Sequence, residues 1–274
     1  MEQRPGTFKL LRLPLLAVHN CLECFDIFEL IDFSLLSKHA KSLVSIIHRD
    51  PLDIEVAIGE FHFISLKSPA YPGLEWAIEP DDFIPYPDTV ADRNINNRIV
   101  NCKNLTLFKG PKAIHYWLLP PDDFEENLKF LVSHLVTVFR SPVKNLGIGT
   151  SDTRSGLEWF KDFKHFVKEW LKGSNSKLEY IEVLWEDEEK DDTFQVITKD
   201  LRFEKHVEND RRPKTIEIFD ATLFLVNQQD SSDIVRPDGA IGTLLYHCSP
   251  STEENNTSRH FFSFHIWNIK RPLK

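Results

Sequence analysis

Residues 8–48 read FKLLRLPLLAVHNCLECFDIFELIDFSLLSKHAKSLVSIIH, and the spacing within them decides how the chain begins. Val18, Leu22 and Phe25 recur at i, i+4 and i+7. Phe28, Ile31 and Leu35 repeat that spacing, and Ala40, Leu43, Val44 and Ile47 give a third stripe. Apolar residues at this period line one face of a helix, so the stretch predicts three short amphipathic helices. Pro14 suits the first turn of the first helix, where its missing N–H is not needed. Asp50-Pro51 closes the segment, because the residue before a proline is pushed out of helical geometry. Helices this short hold too little apolar surface to stand alone and must pack on the rest of the chain or on a partner. The charge balance shifts at the same place. Residues 1–50 carry six basic and six acidic side chains, so the whole net charge of −9 lies in residues 51–274.

After residue 50 the period changes. Glu55 to Leu66 alternates at Val56, Ile58, Phe61 and Phe63, which predicts strands. Residues 67–90 hold five prolines and read as an irregular connection. Strands are expected at Leu105–Phe108, Ile114–Leu118, Val143–Ile148, Leu178–Leu184 and Thr215–Phe219. Helices are expected from Pro120 to about Phe139, from Ser155 to Leu171 with Gly173 as the stop, and over 188–201. Leu146, Ile181 and Glu217 are spaced by 35 and 36 residues, a period typical of strand–helix units, which predicts parallel strands with right-handed crossovers. Arg236-Pro237-Asp238-Gly239 is a turn signal between apolar segments, and Phe261 to Trp267 alternates, so the chain should end in antiparallel hairpins. The fold class is therefore α+β / α/β: three small N-terminal helices, then a mixed α/β domain with repeated βα units and a C-terminal antiparallel hairpin.

Composition bounds the function. With 41% hydrophobic and 27% charged residues, the 274-residue chain is an ordinary globular composition. Its acidic excess argues against a broad nucleic-acid or anionic-lipid footprint, and its partner should be neutral or basic rather than acidic. Four cysteines are too few for a disulfide framework in a chain this long and suit a reducing compartment. The apolar run Leu13 to Val18 is six residues, short for a secretory signal, and no stretch is long enough to span a bilayer, so a cytoplasmic or nuclear protein with no membrane association is expected.

The candidate chemistry is thin. Cys21-Leu22-Glu23-Cys24 has the spacing of half a zinc site, but a second pair of ligands at usable spacing is missing. The cysteines read as small hydrophobes on a helix, replaceable without loss of the C-terminal domain. Gly147-Ile148-Gly149-Thr150 lacks the further glycines and the lysine of a phosphate loop and reads as a strand–helix turn. His260 and His265 sit five apart on a candidate strand and point to opposite faces. The run Glu186 to Asp192 reads as a solvated acidic loop or helix start. No catalytic residue, metal ligand or cofactor site is expected from these patterns.

Within the opening segment, Leu13-Pro14, Val18, Leu22, Phe25, Glu29-Leu30, Ser37-Lys38 and Leu43-Val44 together resemble an F-box, with Leu16 where Glu is usual and Ala40 where Trp is common. The likeness is to the F-box families expanded in nematodes. There the F-box is followed by the F-box-associated domain type 2, which Phe160–Trp170 and Asp233–Gly239 resemble in turn. The resemblance implies an F-box at 7–50 and a substrate-binding α/β domain at 51–274. It implies a non-catalytic substrate receptor of an SCF-type ubiquitin ligase, whose F-box binds a Skp-type adaptor and through it a cullin–RING ligase. The adaptor-binding residues are expected to be Leu13, Pro14, Leu22, Phe25, Leu30 and Ile31. Substrate recognition is expected in 67–90, 186–192 or 249–259, because loops on a rigid scaffold carry recognition. The alternative is a protein-interaction scaffold outside any ligase.

Overall fold

The structure is a computed structural model that describes residues 10–47, 50–59, 62–81, 89–150, 165–173, 177–187, 201–202, 204–205, 215–218, 221–224, 231–249 and 258–270. The chain forms two compact units, Met1–Leu52 with Leu66–Ser141, and Asp53–Ser65 with Pro142–Lys274. The units thus do not follow the charge shift at residue 50: the opening helices share a unit with the strands and helix of 66–141.

The opening helices are α1 (Leu15–Glu23), α2 (Ile27–Leu35) and α3 (Lys38–Ile46). Pro14 stands just before α1. Asp26 begins α2 with a capping box: its carboxylate accepts from the Glu29 N–H at 2.8 Å, and the Glu29 carboxylate accepts from the Asp26 N–H at 2.8 Å. The Ser37 hydroxyl caps α3 by accepting from the Ala40 N–H at 3.1 Å.

The same unit contains β3 (Leu74–Pro80), β4 (Thr89–Ile95), β5 (Arg98–Lys109), β6 (Lys112–Leu119) and the helix α4 (Phe124–Phe139), which is entered through a 3-10 turn at Pro121–Asp123. The strands run in the order β4-β5-β6-β3. β5 and β6 form an antiparallel hairpin, and β3 lies parallel to β6. The strand β3 corrects the expectation of an irregular 67–90. Trp76 and Ile78 are buried, and the only proline within the strand is its last residue, where a missing N–H does least harm.

The second unit holds β1 (Asp53–Ile58), β7 (Val143–Thr150), β8 (Tyr180–Asp187), β9 (Glu204–Lys205), β12 (Ser231–Val235), β13 (Ala240–Ser249) and β14 (Ser258–Lys270), in the order β1-β7-β8-β14-β13-β12-β9. The division between units falls within β2 (Phe63–Lys67). Parallel pairing of β7 and β8 sets Leu146 opposite Ile181, as the 35-residue spacing requires. The third member of that repeat is corrected. Glu217 lies in β10 (Thr215–Ile218), which pairs antiparallel with β11 (Ala221–Phe224) as a separate two-stranded sheet. The place beside β8 is taken by β14, antiparallel, whose Phe262 and Phe264 are fully buried in the apolar cluster with Val183, Leu244 and Trp170. The C-terminal antiparallel strands are as expected. Their first turn is fixed by Gly239 at φ 86° and by the Gly239 N–H donating to the Arg236 carbonyl at 2.9 Å.

Gly147 to Thr150 lie inside β7 rather than after it, which corrects the reading of a strand–helix turn. Close packing against this strand explains a glycine elsewhere, Gly59. A Cβ on Gly59, itself at φ 117°, would sit 1.5 Å from the Gly149 carbonyl oxygen.

Candidate functional site

The three opening helices close on a core of their own. Val18 and Leu22 from α1, Leu30 and Phe33 from α2, and Ala40, Leu43 and Val44 from α3 are all buried there together with Val138 of α4. The apolar residues that the helical period picked out are therefore mostly inside. Of the six expected adaptor contacts, Leu22, Leu30 and Ile31 are at most 1% exposed and lie in the core. Phe25 is half-buried against the same core and meets Phe33 edge-on at 6.3 Å; Leu13 is half-buried and Pro14 exposed. The apolar side chains that face outward are Leu15 at 60%, Leu16 at 73% and Leu36 at 74%, with Leu11 and Ile46 near half. These break the helical period, so the period could not flag them.

Helix α2 is buried on more than one side, and its second side is held to the β-strands and α4. Phe28 stacks on Trp117 at 4.6 Å. The Arg93 guanidinium lies 4.0 Å over Trp117 and donates from Nε and Nη2 to the two Asp32 carboxylate oxygens at 2.6 and 3.0 Å. Arg93 is buried, so this bidentate pair is stronger than an exposed one. The Cys102 thiol lies against Arg93, and burial pushes its pKa up. A hollow of about 350 Å³ opens beside the pair, lined by Leu35, Leu36 and Ala91 among others. A third tie is the buried pair of Ser34 Oγ and His134 Nε2, 2.7 Å apart. The Ser34 hydroxyl donates its one proton to the Ile31 carbonyl at 2.7 Å, so His134 donates from Nε2–H to Ser34. Burial, with Lys41 nearby, lowers the His134 pKa to about 4.

The second unit carries a polar row that sequence patterns did not reveal. Glu55, Asn145, Tyr180, His265, Thr243 and Asp233 stand directly opposite one another on successive strands from β1 to β12. They share one sheet face, while the apolar cluster of Ile181, Val183, Phe262 and Phe264 occupies the other. All but His265 are buried. Asn145 donates to Glu55 at 2.9 Å, Thr243 to Asp233 at 2.8 Å, and Trp267 Nε1 to the Thr243 hydroxyl at 2.8 Å. One step along, the Tyr180 hydroxyl donates to the Glu182 carboxylate at 2.7 Å, and burial raises the pKa of both groups. This is a hydrogen-bonded polar layer. Its members were invisible as a set because register, not spacing along the chain, brings them together.

Cys21 and Cys24 are free thiols, and Cys24 Sγ donates to the Asn20 carbonyl. Among the described residues no group of three or more His, Cys, Asp and Glu side chains is placed to hold a metal, and no helix is long and apolar enough to cross a membrane. Of the three recognition stretches expected from the sequence, 82–88, 188–192 and 250–257 lie outside the described residues.

Residues 10–50 match the F-box domain family, over the segment that α1 to α3 occupy. No curated protein and no solved structure matches the chain. An F-box implies binding to a Skp-type adaptor and, in general, the role of an SCF-type substrate adaptor; proteins that carry one are generally non-catalytic.

Proposed function

We propose that this chain is a substrate-recognition subunit of an SCF-type ubiquitin ligase, in which the F-box docks on a Skp-type adaptor and the β-rich remainder holds a protein substrate. The observation that carries the reading is an F-box match over 10–50 in which Pro14, Leu15, Leu16 and Leu36 are exposed. Large apolar side chains held outward on a rigid, capped helix set are what a partner surface buries, at about 1.5–3 kcal/mol each. The adaptor surface in this reading is Leu13, Pro14, Leu15, Leu16 and Leu36. The resemblance of 51–274 to the F-box-associated domain type 2 supports assigning that part to substrate, inside the cell, with no bond chemistry of its own. Such a receptor works by raising the local concentration of substrate lysines near the charged conjugating enzyme. The test is a titration of full-length chain with a Skp-type adaptor. Leu13→Ala with Pro14→Ala, and separately Leu16→Lys, should each weaken binding more than tenfold with the melting curve unchanged; equal affinity in both folded variants overturns the assignment.

A further inference from the structure

We infer that the outer edge of β4 takes up an extended segment of the protein substrate as an added strand, one that carries a Lys or Arg between two apolar side chains. The inference rests on the substrate-receptor reading and narrows it. Among the described residues β4 ends its sheet and pairs with β5 alone. Asn96 and Asn97, at φ 52° and 61°, join the two strands in a two-residue turn, so Ile95 and Arg98 flank it as a hydrogen-bonded pair. Bonded pairs alternate along the ladder. Arg93 with Val100 and Ala91 with Cys102 are the next ones, which turns the N–H and C=O groups of Val90, Asp92 and Asn94 away from β5. Among the described residues nothing bonds to those groups. Edge strands are ordinarily blunted by proline, lysine or a bulge. The β4 sequence TVADRNI contains neither residue, and its register with β5 runs unbroken. Its inward charge, Arg93, is already met by Asp32.

The side chains of an added strand alternate between the two faces of the sheet, so each face sets its own requirement. On the face where Ala91 and Arg93 point, the edge borders the hollow of about 350 Å³ beside the end of α2, whose apolar wall is Leu35, Leu36 and Ala91. On the other face Asp92 is exposed; it accepts from Asn101 Nδ2 at 3.0 Å and meets no cation among the described residues. The residue set opposite Asp92 is therefore matched by Lys or Arg, and its two neighbours, which point to the hollow, by apolar side chains. A basic segment also suits a chain of net charge −9. A second copy of this chain fits less well, because pairing β4 with itself about its midpoint sets Asp92 against Asp92. Backbone bonds supply affinity whatever the sequence, and the alternation supplies selectivity.

Leu36 belongs also to the proposed adaptor surface, so the test places its variants on β4. A randomised linear-peptide display library is selected on the full-length chain and counter-selected on Asp92→Lys. Enriched peptides should carry Lys or Arg with an apolar residue on each side, and should bind Asp92→Lys roughly tenfold or more weakly. Asp92→Pro removes an outward N–H and no ladder bond, so it should keep the wild-type melting curve while losing the peptides. N-methylation of an enriched peptide, one residue at a time, reads the backbone directly. Binding should fall roughly tenfold or more at every second residue and change little between them. That scan needs no protein variant and decides the matter if Asp92→Pro fails to fold. Enrichment of acidic peptides, equal binding to folded Asp92→Lys, an N-methyl profile without alternation, or a dimer of the chain that Asp92→Lys alters overturns the inference. Adaptor affinity is measured on the same preparations and should be unchanged in both variants. Wild type that binds adaptor but selects no peptide overturns the edge inference alone, whereas wild type that selects these peptides but binds no adaptor overturns the ligase reading.

Discussion

Ser34 and His134 couple the F-box to the rest of its unit through one proton. Because Ser34 spends its hydroxyl proton on the Ile31 carbonyl, the histidine must stay neutral and donate from Nε2. Its pKa, lowered to about 4 from 6.5, lies below that of the unfolded chain. Between those values the unfolded chain binds the extra proton and the folded one does not. The stabilisation is therefore complete above pH 6.5 and is lost as pH falls through about 4, at most about 3 kcal/mol. Thermal melts from pH 7 to pH 4 should show this slope in wild type and a flatter one in His134→Gln; equal slopes would remove His134 as the cause. Ser34→Ala leaves a buried N–H without an acceptor and should cost about 1–3 kcal/mol at pH 7, read by chemical denaturation. Glu182 has the opposite sign. Burial raises its pKa, so its contribution is favourable at acid pH and disappears as pH rises through the raised value. Glu182→Gln keeps an acceptor for the Tyr180 hydroxyl and should leave the protein at least as stable at pH 7, the gap closing in acid; a loss of stability at pH 7 would show that the charged form is the one the fold favours.

Gly59 is the sharpest constraint on an element, since its φ of 117° and the nearby Gly149 carbonyl leave room for no side chain. Gly59→Ala should lower stability by at least about 2 kcal/mol, several degrees in Tm, whereas Gly173→Ala, with open space around it, should cost only the strain of its φ of 91°. The glycines show what the sequence could and could not yield. Helices α1 to α3 were legible because a 3.6-residue period marks a buried stripe, and Asp26 with Glu29 spells a capping box. That same logic selects buried side chains as readily as it marks helices. The period finds the side chains that face the core, Leu22, Leu30 and Ile31, while Leu15, Leu16 and Leu36 face outward because they fall off it. Strand β3 was hidden by prolines that in fact bound the strand. The pairing of β7 with β8 was legible as a spacing, but spacing carries no information on which strand becomes the next neighbour. A 13-residue β14 with alternating buried Phe262 and Phe264 therefore displaced the third repeat.

At the scale of the molecule, the F-box is part of a larger unit. Val138 completes its core, Phe28 covers Trp117, Asp32 neutralises the buried Arg93, and Ser34 accepts from His134. Removing residues 1–50 would therefore uncover Trp117 and Val138, leave Arg93 without its carboxylate, and leave the His134 N–H without its acceptor. A buried cation stripped of its partner alone costs several kcal/mol, comparable to a large share of a domain's stability. Residues 51–274 expressed alone should consequently keep protection from hydrogen exchange in β7, β8, β13 and β14 of the second unit, and lose it in α4 and β4 to β6. Asp32→Asn in the full chain should move the same way by a smaller step, roughly 2–4 kcal/mol, because Arg93 then lacks its counter-charge while the apolar core persists. Hydrogen exchange read by mass spectrometry resolves these segments. If α4 is as protected in 51–274 as in the full chain, the F-box is an independent module and the ties through α2 contribute little. If protection is lost there, and only there, the unit boundaries hold, and the F-box is fixed in orientation by Trp117, Arg93 and His134 rather than by a linker at residue 50.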